Sequence, residues 1–139
     1  MAEFTDESAV RVKTQLTDTV HAPTELIETS ITDAHNALLE RLDPRYADAV
    51  PVEAELIRGE TLLAGAYLLR SVAAGASVRA RDLRLGDRYI EEGNRYAAMS
   101  RMADRFEKEA WETVSRFLVP LTGGFGAAAT RTEPILGED

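Results

Sequence analysis

The chain has 139 residues, with 24 acids against 16 bases and a formal net charge of −8. No cysteine is present, which excludes disulfides, thiolate metal sites and cysteine nucleophiles. Leu, Ile, Val and Phe number 33, about 24% of the chain and above the ~20% below which chains tend to stay disordered. The length predicts one domain. The longest uninterrupted apolar run, residues 62–69, is far shorter than the ~18 residues that cross a bilayer, so no membrane span is expected. The opening MAEFTDESAV lacks a basic stretch followed by an apolar one and does not read as a signal peptide.

Fourteen bases are Arg, and only Lys13 and Lys108 are Lys. A GC-rich genome produces that bias, and so does a high-salt cytoplasm, which selects acidic, lysine-poor surfaces. Charge is also uneven along the chain. Residues 1–60 carry 13 acids and 5 bases, residues 61–105 carry 5 and 8, and residues 106–139 carry 6 and 3. The middle is therefore the only positive stretch, and its natural partner is acidic, including a second copy of this chain. General affinity for nucleic acid is not expected from so acidic a protein.

In chain order, a first helix is predicted over residues 5–16, with Thr5 as cap and Asp6 and Glu7 in its first turn. His21-Ala22-Pro23 breaks it. Thr24 caps a second helix to about Leu42, with Leu26, Ile27, Ile31, Ala34, Leu38, Leu39 and Leu42 at spacings of three and four. Asp43-Pro44 ends it. Pro51 opens the third and longest helix, residues 52–74, whose apolar residues cover more than half its circumference and predict burial on several sides. Gly65, flanked by Ala64 and Ala66, predicts a close crossing by another helix, and Gly75 is the natural stop. Over residues 76–92, Val78 and Ala80 alternate with Arg79 and Arg81, and Gly86-Asp87 suits a tight turn. A short β-excursion or ordered loop is expected there. A fourth helix follows over 94–118, with Met99, Met102, Ala103, Phe106, Ala110, Val114, Phe117 and Leu118 as its stripe and Trp111 beside it. Residues 119–139, with Gly123, Gly124, Gly126, Pro120 and Pro134, predict an extended tail. The fold class expected is thus all-α: a four-helix bundle over residues 1–118, with a β-excursion between the third and fourth helices, and a C-terminal tail.

Catalytic templates find no match. His21 and His35 lack carboxylates at metal-binding spacing, and Asp33 and His35, two apart, read as a solvated pair. The Gly-rich stretch 123–126 has no Lys and precedes no predicted helix, so it is not a phosphate loop. No enzyme activity, cofactor or metal is expected. The remaining charged constellation is Arg79, Arg81, Arg84, Arg88 and Arg95. These arginines either pair locally with Asp82, Asp87, Glu91 and Glu92 or form a docking surface, since Arg suits bidentate carboxylate contacts at interfaces. In the tail, Phe125, Ile135 and Leu136 are apolar residues that a purely solvating linker would lack, and they are expected to anchor it on a partner.

The order of features carries a resemblance. An acidic first helix precedes one with Thr32-Asp33-Ala34 at its middle and Leu38-Leu39-Glu40 near its end. Arg45-Tyr46-Ala47-Asp48-Ala49 then leads to ELIRGETLLAGAYLLRS (residues 55–71). An Arg-rich stretch ending Leu85-Gly86-Asp87-Arg88 leads to a last helix with Ala110-Trp111. Over residues 5–118 this resembles the head–tail connector (adaptor) proteins of long-tailed viruses, through pattern, order and length and not through an invariant signature. The resemblance implies a small helical bundle assembling as a homo-oligomeric ring, usually of twelve copies, beneath the portal protein. Such a ring extends the DNA channel and presents a surface to tail-completion proteins, at the neck of the virion, after synthesis in the host cytoplasm. It implies no catalytic residues. An acidic channel wall would let DNA pass without specific binding. The alternative is an acidic helical regulatory or interaction protein of a halophilic cell.

Overall fold

The computed structural model describes residues 3–20, 22–83 and 86–120, and over 76–95 the backbone alone. Its helices are α1 (Glu7–Thr14), α2 (Thr24–Leu39), the single turn α3 (Pro44–Ala47), α4 (Ala54–Leu83) and α5 (Gly86–Val114), followed by a 3₁₀ turn, Ser115–Phe117. Helices dominate, and the all-α class stands. Among the described residues the nearest thing to a sheet is one antiparallel bridge between Leu42 and Leu118.

The β-excursion expected over 76–92 is not found: its described residues are helical, in α4 up to Leu83 and in α5 from Gly86. Helix four accordingly begins eight residues before the expected Asn94. Alternation at 78–81 is only four residues long. The same stretch also continues the three-and-four spacing Leu69, Val72, Ala76, Ala80 and Leu83. Once a helix exists, each further residue adds a backbone hydrogen bond, which offsets the ~1 kcal/mol that Gly75 costs in its interior. Gly86-Asp87 starts α5 instead of forming a turn.

Capping differs in detail from the expectation. Asp6, not Thr5, caps α1, its Oδ1 accepting from Ala9 N at 2.9 Å. At α2, Pro23 stands in the cap position and its carbonyl accepts from the Leu26 and Ile27 amides. Thr24, freed from capping, donates its hydroxyl to Glu7 at 3.1 Å. α2 ends at Leu39, short of the expected Leu42, and Asp43-Pro44 opens α3 instead, where Asp43 Oδ1 accepts from Arg45 N. Arg11 closes the α1–α2 connection, its guanidinium donating to Glu7 and to the Leu16 and Ala22 carbonyls.

α4 and α5 run antiparallel as one long hairpin, and α1 and α2 pack on α4. Its 30 residues amount to roughly 45 Å at 1.5 Å per residue. Leu62, Leu63, Ala64 and Leu68 of α4 are buried with Val10, Ile27, Ile31 and Ala34 of α1 and α2. At one end, Leu38, Leu42, Leu56, Val114 and Phe117 form a second cluster. Ion pairs set the register of the hairpin: Glu55–Arg116 at 2.9 Å, Arg58–Glu109 at 3.4 Å, and Arg70 with Asp104 and Glu107 at 2.8 and 2.6 Å. Each is at the surface, where solvent screening leaves an ion pair little net worth, so they choose the alignment more than they hold it.

Small residues determine how near the helices come. A Cβ at Gly65 would lie 3.1 Å from Thr14 Cγ2 and 3.2 Å from Phe106 Cδ2, so α1 and α5 both close on it, as its sequence neighbours predict. Gly59 is tighter still: a Cβ there would overlap Val114 Cγ1. Gly59→Ala should therefore lower stability by ~1–3 kcal/mol through overpacking, although Ala is the better helix former. Adding Val114→Ala should recover part of that loss, which chemical denaturation of the single and double variants measures.

Candidate functional site

The polar residues best placed for chemistry are buried between α2, α4 and the segment before α1. Glu60 is 0% exposed and His35 4%. In the helical spacing, each replaces an apolar residue of its stripe: His35 falls between Ile31 and Leu38, and Glu60 between Leu56 and Leu63. A buried carboxylate needs donors on every side. Glu60 Oε2 accepts from the amides of Phe4 at 2.7 Å and Thr5 at 3.0 Å. His35 Nδ1 lies 2.6 Å from Oε1. With the carboxylate as acceptor, that contact selects the tautomer carrying the proton on Nδ1.

The N-terminal segment closes over this pair. Phe4 sets its ring edge-on to the His35 imidazole, with centroids 4.9 Å apart and planes at 77°. Thr61 donates its hydroxyl to the Ile57 carbonyl at 2.7 Å, so at the 2.6 Å Thr5–Thr61 contact the Thr5 hydroxyl is the donor. The solvated Asp33–His35 pair expected from sequence is thus corrected: His35 is a core residue whose partner lies 25 positions away. His35 Nε2 is buried without a hydrogen-bond partner among the described residues.

The interface residues proposed from sequence fall elsewhere. Arg79 and Arg81 lie in the last turns of α4 and Arg88 in the first turn of α5, so the antiparallel topology brings the three to the closed end of the hairpin. Arg84, Phe125, Ile135 and Leu136 lie outside the described residues. Surface hollows lie beside the first helices, two of which bear on the site. One, of about 160 Å³, is lined by Gln15, Leu16, Val72, Tyr96 and Met99. The other, of about 440 Å³, runs beside the N-terminal segment and is lined by Glu3, Asp6, Glu7 and Glu28 with Ile31. Among the described residues no group of three His, Cys, Asp or Glu could hold a metal ion.

At the open end of the hairpin, arginines lie on aromatic rings. Arg41 stands 4.6 Å over Trp111, Arg116 4.3 Å over Phe117, and Arg45 5.4 Å over Tyr46. Tyr46 meets Phe117 edge-on at 4.8 Å. Trp111, which sequence placed beside the α5 stripe, is half-buried and packs on both core clusters. The Arg45 side chain and amide hold the Asp43 carboxyl below its ordinary range.

No family model, no curated protein and no solved structure matches this chain.

Removing Glu60 leaves the His35 N–H buried and unpaired and the two amides without their acceptor. Glu60→Ala should cost ~3–5 kcal/mol, the range for breaking a buried pair from one side. The double change His35→Leu with Glu60→Leu should cost clearly less than the two single changes added together, because neither partner of the pair is then left buried alone, while the Phe4 and Thr5 amides lose their acceptor in both backgrounds. Denaturant midpoints of the four proteins complete the cycle.

Proposed function

We propose that this protein is a structural adaptor of the head–tail connector kind, a ring subunit docking below a portal, and not an enzyme. In this reading the packed helices are the four-helix bundle of each subunit, and the ring lets DNA pass without binding it specifically. The observation that carries the proposal is the segregation of charge. Residues 61–105 are the only positive stretch of a chain with net charge −8, and Arg79, Arg81 and Arg88 share the closed end of the α4–α5 hairpin. An arm of that kind, anchored by three sets of ion pairs, suits docking on an acidic surface of a portal or a neighbouring subunit.

The buried pair supports a non-catalytic reading. A catalytic carboxylate–imidazole dyad turns its second nitrogen towards a substrate cleft. Here that nitrogen is buried, and Phe4 lies against the ring. Orienting His35 and holding the N-terminal segment are roles in the architecture. The resemblance in element order described above supplies the partner class: portal protein on one side, tail-completion proteins on the other.

Changing Arg79, Arg81 and Arg84 together to Ser should leave helicity unchanged and abolish both co-purification with a portal ring and incorporation into particles. Circular dichroism checks the fold, and electron microscopy checks assembly. Normal particles from the triple variant would reduce these arginines to a solvated surface. Stable capture of a cellular regulator in place of a portal would favour the acidic interaction protein instead.

A further inference from the structure

We infer that the acidic, apolar end of the chain's own tail, residues 133–139, docks on the open end of the helical hairpin over Arg41 and Trp111. Three observations converge on that face. The Arg41 guanidinium lies over the Trp111 ring, 4.6 Å from its centroid, and unlike Arg45 and Arg116, the other two arginines over rings, it has no carboxylate within ion-pair distance among the described residues. A stacked guanidinium still presents its N–H edges, which suit a carboxylate approaching in the plane. Beside it, Val119 is 48% exposed, and on the loop that precedes α4 at the same end Val50 is 94% exposed. Large apolar side chains left open at the same end as a half-buried Trp and an Arg with no ion pair among the described residues have the composition of an interface centre.

The occupant follows from where the chain goes. Val119 N donates to the Arg41 carbonyl at 2.8 Å, so the polypeptide leaves the described fold beside the face in question. The sequence that follows includes Glu133, Ile135, Leu136, Glu138 and Asp139, two apolar residues set among carboxylates. That is the complement of an Arg flanked by apolar side chains. The sixteen residues from Pro120 to Ile135 give a root-mean-square span of roughly 20 Å for a flexible chain, enough to turn back to its point of departure. A tethered segment also acts at an effective concentration near millimolar, which favours its own bundle over a neighbouring copy at ordinary protein concentration. The inference does not depend on the adaptor reading, because it concerns the isolated chain.

Trp111, the single tryptophan, reports on the contact. In the full-length protein, Ile135→Asp with Leu136→Asp should shift Trp111 emission to the red and raise its quenching by acrylamide, with circular dichroism unchanged. Hydrogen exchange should find the amides of residues 135–138 protected in the native chain, and that protection lost both in this double variant and in Arg41→Gln. All differences should persist on dilution. Identical emission, quenching and exchange in native and variant chains would overturn the inference. So would differences that vanish on dilution, because the docked tail would then belong to another copy.

Discussion

A fully buried carboxylate in the middle of α4 organises the rest of this molecule. Glu60 cannot be left without donors, because an ionised oxygen away from water costs several kcal/mol unless hydrogen bonds replace its hydration. The donors come from two other elements: His35 of α2 and the amides of Phe4 and Thr5 ahead of α1. Each donor sits only where its backbone places it, so satisfying Glu60 fixes α2 and the entry to α1 against the same turn of α4. An apolar contact would tolerate sliding by an ångström or two. A three-donor carboxylate does not, and this gives a small-residue core a specificity that its aromatics, 6% of the chain, do not supply.

The second constraint is steric. Gly59 and Gly65 remove side chains where Val114, Thr14 and Phe106 close on α4. Near approach increases dispersion contact along the seam, where Ala66, Leu69 and Ala103 are buried together. Two long helices held this closely form an arm. Surface ion pairs along it, at Glu55–Arg116, Arg58–Glu109 and Arg70–Asp104, decide which residues face each other. The two ends of the arm differ in chemistry. The closed end gathers arginines by sequence position, whereas at the open end Arg41, Arg45 and Arg116 lie on rings that also belong to the core.

These two ends suit different partners. Arginines gathered at one end of a helical hairpin favour rapid, salt-dependent capture of an acidic surface. A stacked arginine among apolar side chains favours a dry, shape-dependent contact with a short peptide segment. The connector reading uses the closed end and the tail contact the open end, so the two are compatible without depending on each other.

Much of this was legible along the chain. The three-and-four spacing of Leu26 to Leu42 and of Met99 to Phe117 identified two helices, and the wide apolar arc of residues 56–73 identified the central one, because burial periodicity is a local property of sequence. Gly65 announced a close crossing through its small neighbours. Gly59 did not, since the residue that crowds it, Val114, is 55 positions away. The β-excursion read over 76–92 failed because four alternating residues fit a strand and a helix equally, and the continuation of α4 decided between them. His35 and Glu60 each carried a visible signal, a polar residue inside an apolar stripe, but pairing them required knowing which turns of α2 and α4 face each other. Composition and periodicity thus determined an acidic, mainly helical chain with a central buried helix. Tertiary structure alone decided which polar groups meet, because a hydrogen bond depends on distances between elements that no local pattern encodes.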